Sequence, residues 1–351
     1  MEGRAAAARR ISGGRIVSAR VLVTDHAWPS LEIERRILSE VGAELVVAPA
    51  GDDEALVRLA AGADAILTNW RRVPEAALEA ATRCLVVARY GVGLDNIPVA
   101  RATELGILVA NVPDFCVEEV SDHAMALLLA SARRVVAFAR STRSGAWDLA
   151  GLGAGLPRLR GQRLGIVGFG NTARALIPKA QGFGLDVIVT TPRLPAGRDA
   201  ATGAETTADL ANLLAVSDYV SLHAPSTPAT RGLIGERELR AMKPTAYLVN
   251  TARGALVDET ALVRALREGW IAGAALDVLA EEPPPADHPL LALANAIVTP
   301  HAAFFSETAI AELETKAAGN VASVLRGELP ATVVNPEVTA LPAYRLGSST
   351  V

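Results

Sequence analysis

The sequence predicts an α/β protein built from two doubly wound parallel-sheet domains. Three observations carry this prediction. The chain has 351 residues, enough for two domains at ~100–200 residues each. Half of the residues are hydrophobic while only 4% are aromatic, so the core is aliphatic, as suits parallel strands covered by helices. From Arg20 onward, short aliphatic or β-branched runs alternate with longer amphipathic stretches, the pattern of βαβ units.

The first series of strands is VLVT (21–24), ELVVA (44–48), DAILT (64–68), LVVAR (85–89) and GILVA (106–110), with helices around 31–41 and 53–61. Residues 117–143 then read as one long helix. It opens with Glu118, Glu119 and Asp122 and closes with Arg133, Arg134, Arg140 and Arg143, an order that complements the helix dipole. Its middle, Ala124 to Ala130, is apolar nearly all round, which demands burial in a large core or against a partner subunit. The Gly- and Pro-rich stretch 151–161 is a loop. The second series begins at RLGIVGFG (163–170) and continues through DVIVT (186–190), DYVSL (218–222), AYLVN (246–250), AGAAL (272–276) and AIVTP (296–300). A last helix covers 306–325. No repeat of fixed period links the two series, so the domains are alike in kind and are not copies.

The net charge of −4 disfavours nucleic acid and anionic membranes as partners, since both require concentrated positive charge. No apolar run approaches the ~18 residues of a membrane span. Two cysteines, Cys84 and Cys116, do not make a disulfide framework, and a cytoplasmic location is the simpler reading. No metal site is expected. Residues 1–19 form a leader. Arg4, Arg9, Arg10 and Arg15, with Arg20 just beyond, stand against one acid, Glu2. That composition resembles an organellar transit peptide, but a disordered leader or an overlong start is the plainer reading.

The segment LGIVGFGNTARAL is a strand, then Gly168-Phe-Gly170-Asn-Thr-Ala173, then a helix. This is the dinucleotide fingerprint in its proper context: Gly168 for the tight turn, Gly170 for backbone approach to a pyrophosphate, Ala173 for close helix–strand packing; the alternative is a plain strand–helix turn that uses glycine for compactness. The pyrophosphate would rest on the helix N-terminus. An NAD site also calls for an acid at the end of the next strand. Here that place falls at Thr190 or Thr191, followed by Pro192 and Arg193, while Asp186 is at the wrong end of the strand. Without the acid a 2′-phosphate is not repelled, and Arg193, with Arg198, can pair with it. The residues therefore lean to NADP(H) over NAD(H), or to relaxed choice; otherwise Arg193 is a solvated loop cation.

Three polar spots follow strand ends in the second half, where open α/β sheets bind ligands. Arg253 follows AYLVN, in a turn where a guanidinium can grip a carboxylate bidentately. Asp277 ends AGAAL, and Glu282 precedes Pro283. His301 follows AIVTP. Reduction of a ketone needs a proton donor for the developing alkoxide, histidine suits that task, and a nearby carboxylate keeps it protonated and oriented. Glu282 is the carboxylate of choice. His26, His123, His223 and His288 lack this company, and His123 reads as packing or capping.

Taken together, RYGVGLDNI (89–97), NVPDFCVEEVSDHAMALLLA (111–130), GIVGFG (165–170), VSLHAPSTPATRGLI (220–234), LVNTARGALVDE (248–259), ALDVLAEEPPP (275–285) and TPHAAFFSE (299–307) resemble the D-isomer-specific 2-hydroxyacid dehydrogenases. The likeness covers about residues 20–336 and looks closest to the branch of the C-terminal-binding-protein corepressors. The resemblance implies two Rossmann-like domains, with a cofactor domain (111–299) inserted into a substrate domain (20–110 and 300–336), and a tail at 337–351. It implies a catalytic trio of Arg253, Glu282 and His301. Backbone N–H groups of Val92 and Gly93 would hold the substrate carboxylate. Asp277 would hold the nicotinamide carboxamide, and Asn171, Thr172, His223, Pro225, Thr251 and Ala252 would line the cofactor. The 117–143 helix region would serve a homodimer. Thr191, Thr172 and Ala173 depart from the family's pattern at the cofactor, and Phe304 stands where the corepressor branch has Trp.

The implied reaction is hydride transfer between nicotinamide and C2 of a small 2-oxo or 2-hydroxy acid. Arg71, after DAILT, either contacts a second anionic group of the substrate or is a solvated loop arginine. The rival function is a cofactor-sensing, corepressor-like adaptor with little or no turnover. The intact trio speaks against it.

Overall fold

The computed structural model describes residues 11–12, 15–16, 18–192 and 195–346. Most of the leader, and the cofactor candidate Arg193, lie outside the described residues. The chain divides into two compact units, one of Met1–Phe115 with Ser306–Val351 and the other of Cys116–Phe305. These divisions fall a few residues beyond the boundaries expected at 110 and 300.

In the first unit, β1 (Ile11–Ser12) and β2 (Arg15–Ile16) form a small antiparallel pair. The main sheet holds β3 (Ala19–Val23), β4 (Ala43–Val47), β5 (Ala65–Thr68), β6 (Val86–Arg89) and β7 (Leu108–Ala110). Its order is β4-β3-β5-β6-β7, all parallel, the flavodoxin-like order of a doubly wound sheet. Every residue of β5 and β6 is buried, which is why these segments are unbroken apolar runs without alternation. The Glu307–Leu325 helix covers the sheet with Ala317, Val321 and Val324, all fully buried. Residues 337–346, expected as a tail, belong to this unit. Gly106, at φ +73°, lies so close to the Ala343 carbonyl that a Cβ would collide with it. Arg345 Nη1 donates to the carbonyls of Ala81 at 2.6 Å and Cys84 at 2.9 Å.

The second unit holds β8 (Arg163–Val167), β9 (Asp186–Thr190), β10 (Gly197–Arg198), β11 (Glu205–Thr207), β12 (Tyr219–Leu222), β13 (Tyr247–Asn250), β14 (Gly273–Leu276) and β15 (Ala296–Val298). The order is β10-β11-β9-β8-β12-β13-β14-β15, and only β10 runs antiparallel to its neighbour. The strand order reverses between β8 and β12, which creates the crevice at their carboxyl ends where doubly wound sheets receive ligands. Strands β10 and β11 were not anticipated, because GR and ETT are too short and polar to stand out as strands.

The single helix expected over 117–143 is two, Val117–Ala132 and Val135–Arg143. Arg134 adopts a left-handed backbone at φ 50°, which stops the first helix, and its guanidinium donates to the Leu152 and Ala154 carbonyls. The apolar girth of the first helix is spent inside its own unit, where Ala124, Met125, Leu127 and Leu128 pack with Leu176, Ile177 and Val249. The second helix buries no residue.

Candidate active site

The fingerprint turn leaves β8 at Gly168. Its φ is +101°, and a Cβ there would lie 2.6 Å from the His223 carbonyl, so the two loops beside the switch point touch backbone to backbone. Gly170 opens the Asn171–Gly182 helix with no side-chain cap, and a Cβ on Gly170 would meet nothing within 4 Å. The first-turn N–H groups have no intrahelical partner, the arrangement that can receive a pyrophosphate. Asn171 and Thr172 are the first two residues of that helix. Thr191 follows the last residue of β9 and is buried, with no acid beside it in sequence. Arg198 donates to the Gly203 carbonyl at 2.5 Å.

Across the switch point, the His223 N–H donates to the Val167 carbonyl at 2.7 Å and its Nε2 pairs with Ser221 Oγ at 2.8 Å. Loss of hydration pushes this imidazole down to about 4. Pro225 accepts from Thr230 Oγ1 at 2.6 Å. Thr251 Oγ1 is buried without a hydrogen-bond partner among the described residues. An orphan donor just past the carboxyl end of β13 fits a bound ligand, because a buried hydroxyl left unmatched is costly.

The turn after β13 is set by Asn250, a residue the sequence did not single out. Its side chain accepts from the Ala252 N–H at 3.0 Å and donates to the Arg253 carbonyl at 2.9 Å. Gly254 follows, so close to the Leu279 carbonyl that a Cβ would overlap it. The turn bearing Arg253 is therefore stacked on the loop bearing Glu282.

Glu282 Oε1 accepts from the Leu279 N–H at 2.9 Å, and Oε2 lies 2.6 Å from His301 Nδ1. Burial opposes ionisation of Glu282, but the His301 hydrogen bond and charge, the Leu279 N–H and the Arg253 guanidinium outweigh it and hold the carboxyl below its usual range. With Nδ1 committed to Glu282, Nε2 is the ring nitrogen left for a substrate. The geometry thus brings Arg253, Glu282 and His301 together.

His301 has a left-handed backbone, φ 51°, uncommon for a side-chain-bearing residue and costly unless its surroundings enforce it. Asp277 enforces it. Its carbonyl accepts from the His301 N–H at 2.8 Å. Its carboxylate accepts from the Ala302 and Ala303 N–H groups, both at 2.9 Å, and from Thr299 Oγ1 at 2.5 Å. Thr299 in turn accepts from His123 Nε2 at 3.0 Å. Asp277 was expected to meet a carboxamide. Its carboxylate has no exposed surface and instead seats the His301 turn. His123 was read as packing or capping. Its place in this network has no local signal, because its partner is distant in sequence.

In the other unit, Val92 is exposed, and its carbonyl accepts from Asn111 Nδ2 at 2.9 Å. Gly91 before it has φ +136°. Arg71 is neither solvated nor free for a substrate anion. Its guanidinium donates to the Pro49 carbonyl at 2.8 Å and pairs with Asp53 at 2.9 Å. The N–H groups of Asn69, Trp70 and Arg71 are already taken by the Asp25 carboxylate, an internal anion at the end of β5. Among the described residues, no group of three or more His, Cys, Asp or Glu is placed to hold a metal ion, and no helix is long and apolar enough to cross a membrane.

Residues 125–303 match the family model described as the D-isomer specific 2-hydroxyacid dehydrogenase, NAD binding domain. A glyoxylate reductase of Korarchaeum cryptofilum is 45% identical over 265 residues, spanning 74% of this chain and 79% of that protein. A D-3-phosphoglycerate dehydrogenase of Methanocaldococcus jannaschii is 40% identical over 93% of this chain, which spans 61% of that protein's length. A solved NADPH-dependent glyoxylate/hydroxypyruvate reductase of Sinorhizobium meliloti, in complex with NADP and malonate, superimposes with a TM-score of 0.78 at 29% identity, over 91% of this chain and 97% of that one. The chain belongs to the D-isomer-specific 2-hydroxyacid dehydrogenase family, a family of NAD(P)-dependent oxidoreductases.

Proposed function

We propose that this enzyme reduces a small 2-oxo acid of the glyoxylate or hydroxypyruvate type to its D-2-hydroxy acid, preferring NADPH. One observation carries the reading: the 2.6 Å contact between His301 and Glu282, with Arg253 near enough for its charge to act on the same carboxylate.

When bound, the nicotinamide supplies the hydride equivalent for C2. Arg253 grips the substrate carboxylate and polarises the keto oxygen. His301 delivers the Nε2 proton to the oxygen as C2 is reduced, and takes it back in the oxidation direction. Glu282 balances the imidazolium through Nδ1. Gly168, Gly170, Asn171 and Thr172 hold the pyrophosphate, and His223, Pro225, Thr251 and Ala252 line the nicotinamide half. Thr191, Pro192 and Arg193 admit a 2′-phosphate, because the place of the usual acid is neutral. Backbone N–H groups of Val92 and Gly93 are the proposed carboxylate donors of the first unit, the substrate domain, and the second unit is the cofactor domain.

We read the assembly as a homodimer. Support comes from Val135, Trp147 and Leu149, of which Trp147 is 89% exposed, in the region after the left-handed break. Cys84 and Cys116, both buried and not in a disulfide, suit a cytoplasmic location. A non-catalytic adaptor would have no use for an ordered proton donor.

The test is oxidation of NADPH, and separately NADH, followed at 340 nm against glyoxylate, hydroxypyruvate, pyruvate and larger 2-oxo acids. Turnover with one of them, abolished in His301→Ala, is the expected result. Cofactor binding without oxidation of any substrate would defeat the reading and favour the adaptor.

A further inference from the structure

A second His–Glu pair stands behind the first. Glu259 opens the Glu259–Glu268 helix, and its carboxylate is spent on the loop that carries Glu282. Oε1 accepts from the Ala280 N–H at 2.6 Å, where that loop begins. Oε2 meets Nε2 of His288 at 3.2 Å, where the loop ends. His288 is further fixed by its N–H, which donates to the Pro285 carbonyl at 3.0 Å. Nδ1 of His288 is buried and has no hydrogen-bond partner among the described residues, so Nε2 is the nitrogen that carries the proton and donates to Glu259. Both side chains are mostly enclosed, 18% exposed for Glu259 and 15% for His288. One carboxylate thus clamps both ends of the segment 280–288. The residue before the clamp, Leu279, gives its N–H to Glu282 and has Gly254 packed on its carbonyl.

We infer that Glu259 and His288 are a positioning pair that fixes the Glu282 carboxylate against His301 by clamping the base of its loop. Neither residue touches the reacting atoms. A loop anchored only by the Leu279 N–H would let the carboxylate swing, and a rotamer change suffices to lose a 2.6 Å hydrogen bond. The inference rests on reading Glu282 and His301 as the proton-transfer couple.

The test follows the His301 ring signals by NMR against pH in the full-length, ¹⁵N-histidine-labelled protein, beside kcat and KM for NADPH and glyoxylate. The proteins are wild type, Glu259→Ala, Glu259→Gln, His288→Ala and Glu282→Gln. The His301 midpoint should fall in Glu282→Gln. In Glu259→Ala and His288→Ala it should fall by about half a pH unit, roughly a threefold loss of proton affinity. kcat should fall with it while the KM for NADPH holds. Glu259→Gln keeps an oxygen for Ala280 and should lie between wild type and Glu259→Ala. A folded Glu259→Ala with the wild-type midpoint overturns the pair. Should that variant not fold, His288→Ala and Glu259→Gln decide by the same comparison. A wild-type midpoint in Glu282→Gln would sink the couple itself, and the positioning pair with it.

Discussion

His301 Nδ1 and Glu282 Oε2 are 2.6 Å apart, the separation of a charge-assisted hydrogen bond. His301→Ala removes the proton donor and should lower kcat by about 10²–10⁴-fold. Glu282→Gln keeps the shape and removes the charge, so reduction should be lost first at high pH. Glu282 also ties the fold to pH. Its carboxyl is held below the usual range, so the stability it adds is present above that range and disappears as pH falls through the lowered value. Urea melts between pH 6 and pH 3 should show this loss in the wild type and not in Glu282→Gln.

The neutral end of β9 makes a prediction about cofactor choice. Thr191→Asp restores an acid where a ribose would bind. It should raise KM for NADPH at least tenfold and spare or improve NADH, because a carboxylate repels a 2′-phosphate. Equal effects on both cofactors would separate Thr191 from the ribose site.

Gly168→Ala places a methyl 2.6 Å from the His223 carbonyl at a φ of +101°. Overpacking and backbone strain together should cost about 2–4 kcal/mol. A thermal melt should show the loss, and cofactor titration should show weakened binding, because the methyl sits in the pyrophosphate turn.

His223 is held neutral, at about 4 against an ordinary 6.5. The unfolded chain therefore takes up a proton at pH values where the folded one does not. Stability should fall progressively as pH drops from about 6.5 towards about 4. His223→Asn should flatten that part of the pH–stability curve. An unchanged slope would mean that the ring is hydrated.

Trp147 and Leu149 are exposed and form the proposed dimer contact with the helix before them. Light scattering should report a dimer for the wild type, and Trp147→Glu with Leu149→Glu should shift it to a monomer. A wild-type monomer at working concentrations would remove the dimer.

Much of this was legible in the sequence because it is local. The aliphatic runs, the Gly168–Ala173 turn and the residues after AYLVN, AGAAL and AIVTP declare themselves by neighbours in the chain. What was not legible depends on distant partners. Arg71 looks like a substrate cation until Asp53 and Pro49 are beside it. Asp277 looks like a ligand until the Ala302 and Ala303 N–H groups occupy it. The break at Arg134 has no glycine or proline to announce it, and the charge order alone favoured continuity.

The interrupted course of the first unit sets an order of events during synthesis. The segment Met1–Phe115 is made before the inserted unit, and the Ser306–Val351 segment that completes the first unit is made after it. In the interval β5 and β6 lack the covering helix and must wait with apolar surface uncovered. Cys116–Phe305 is contiguous and can fold before the chain is finished. Once folded, it draws its own ends together, since His123 near one end is hydrogen-bonded to Thr299 near the other. The long intervening chain then no longer has to be closed as a flexible loop. A lesion that slows folding of the inserted unit should therefore prolong the time for which β5 and β6 stay uncovered.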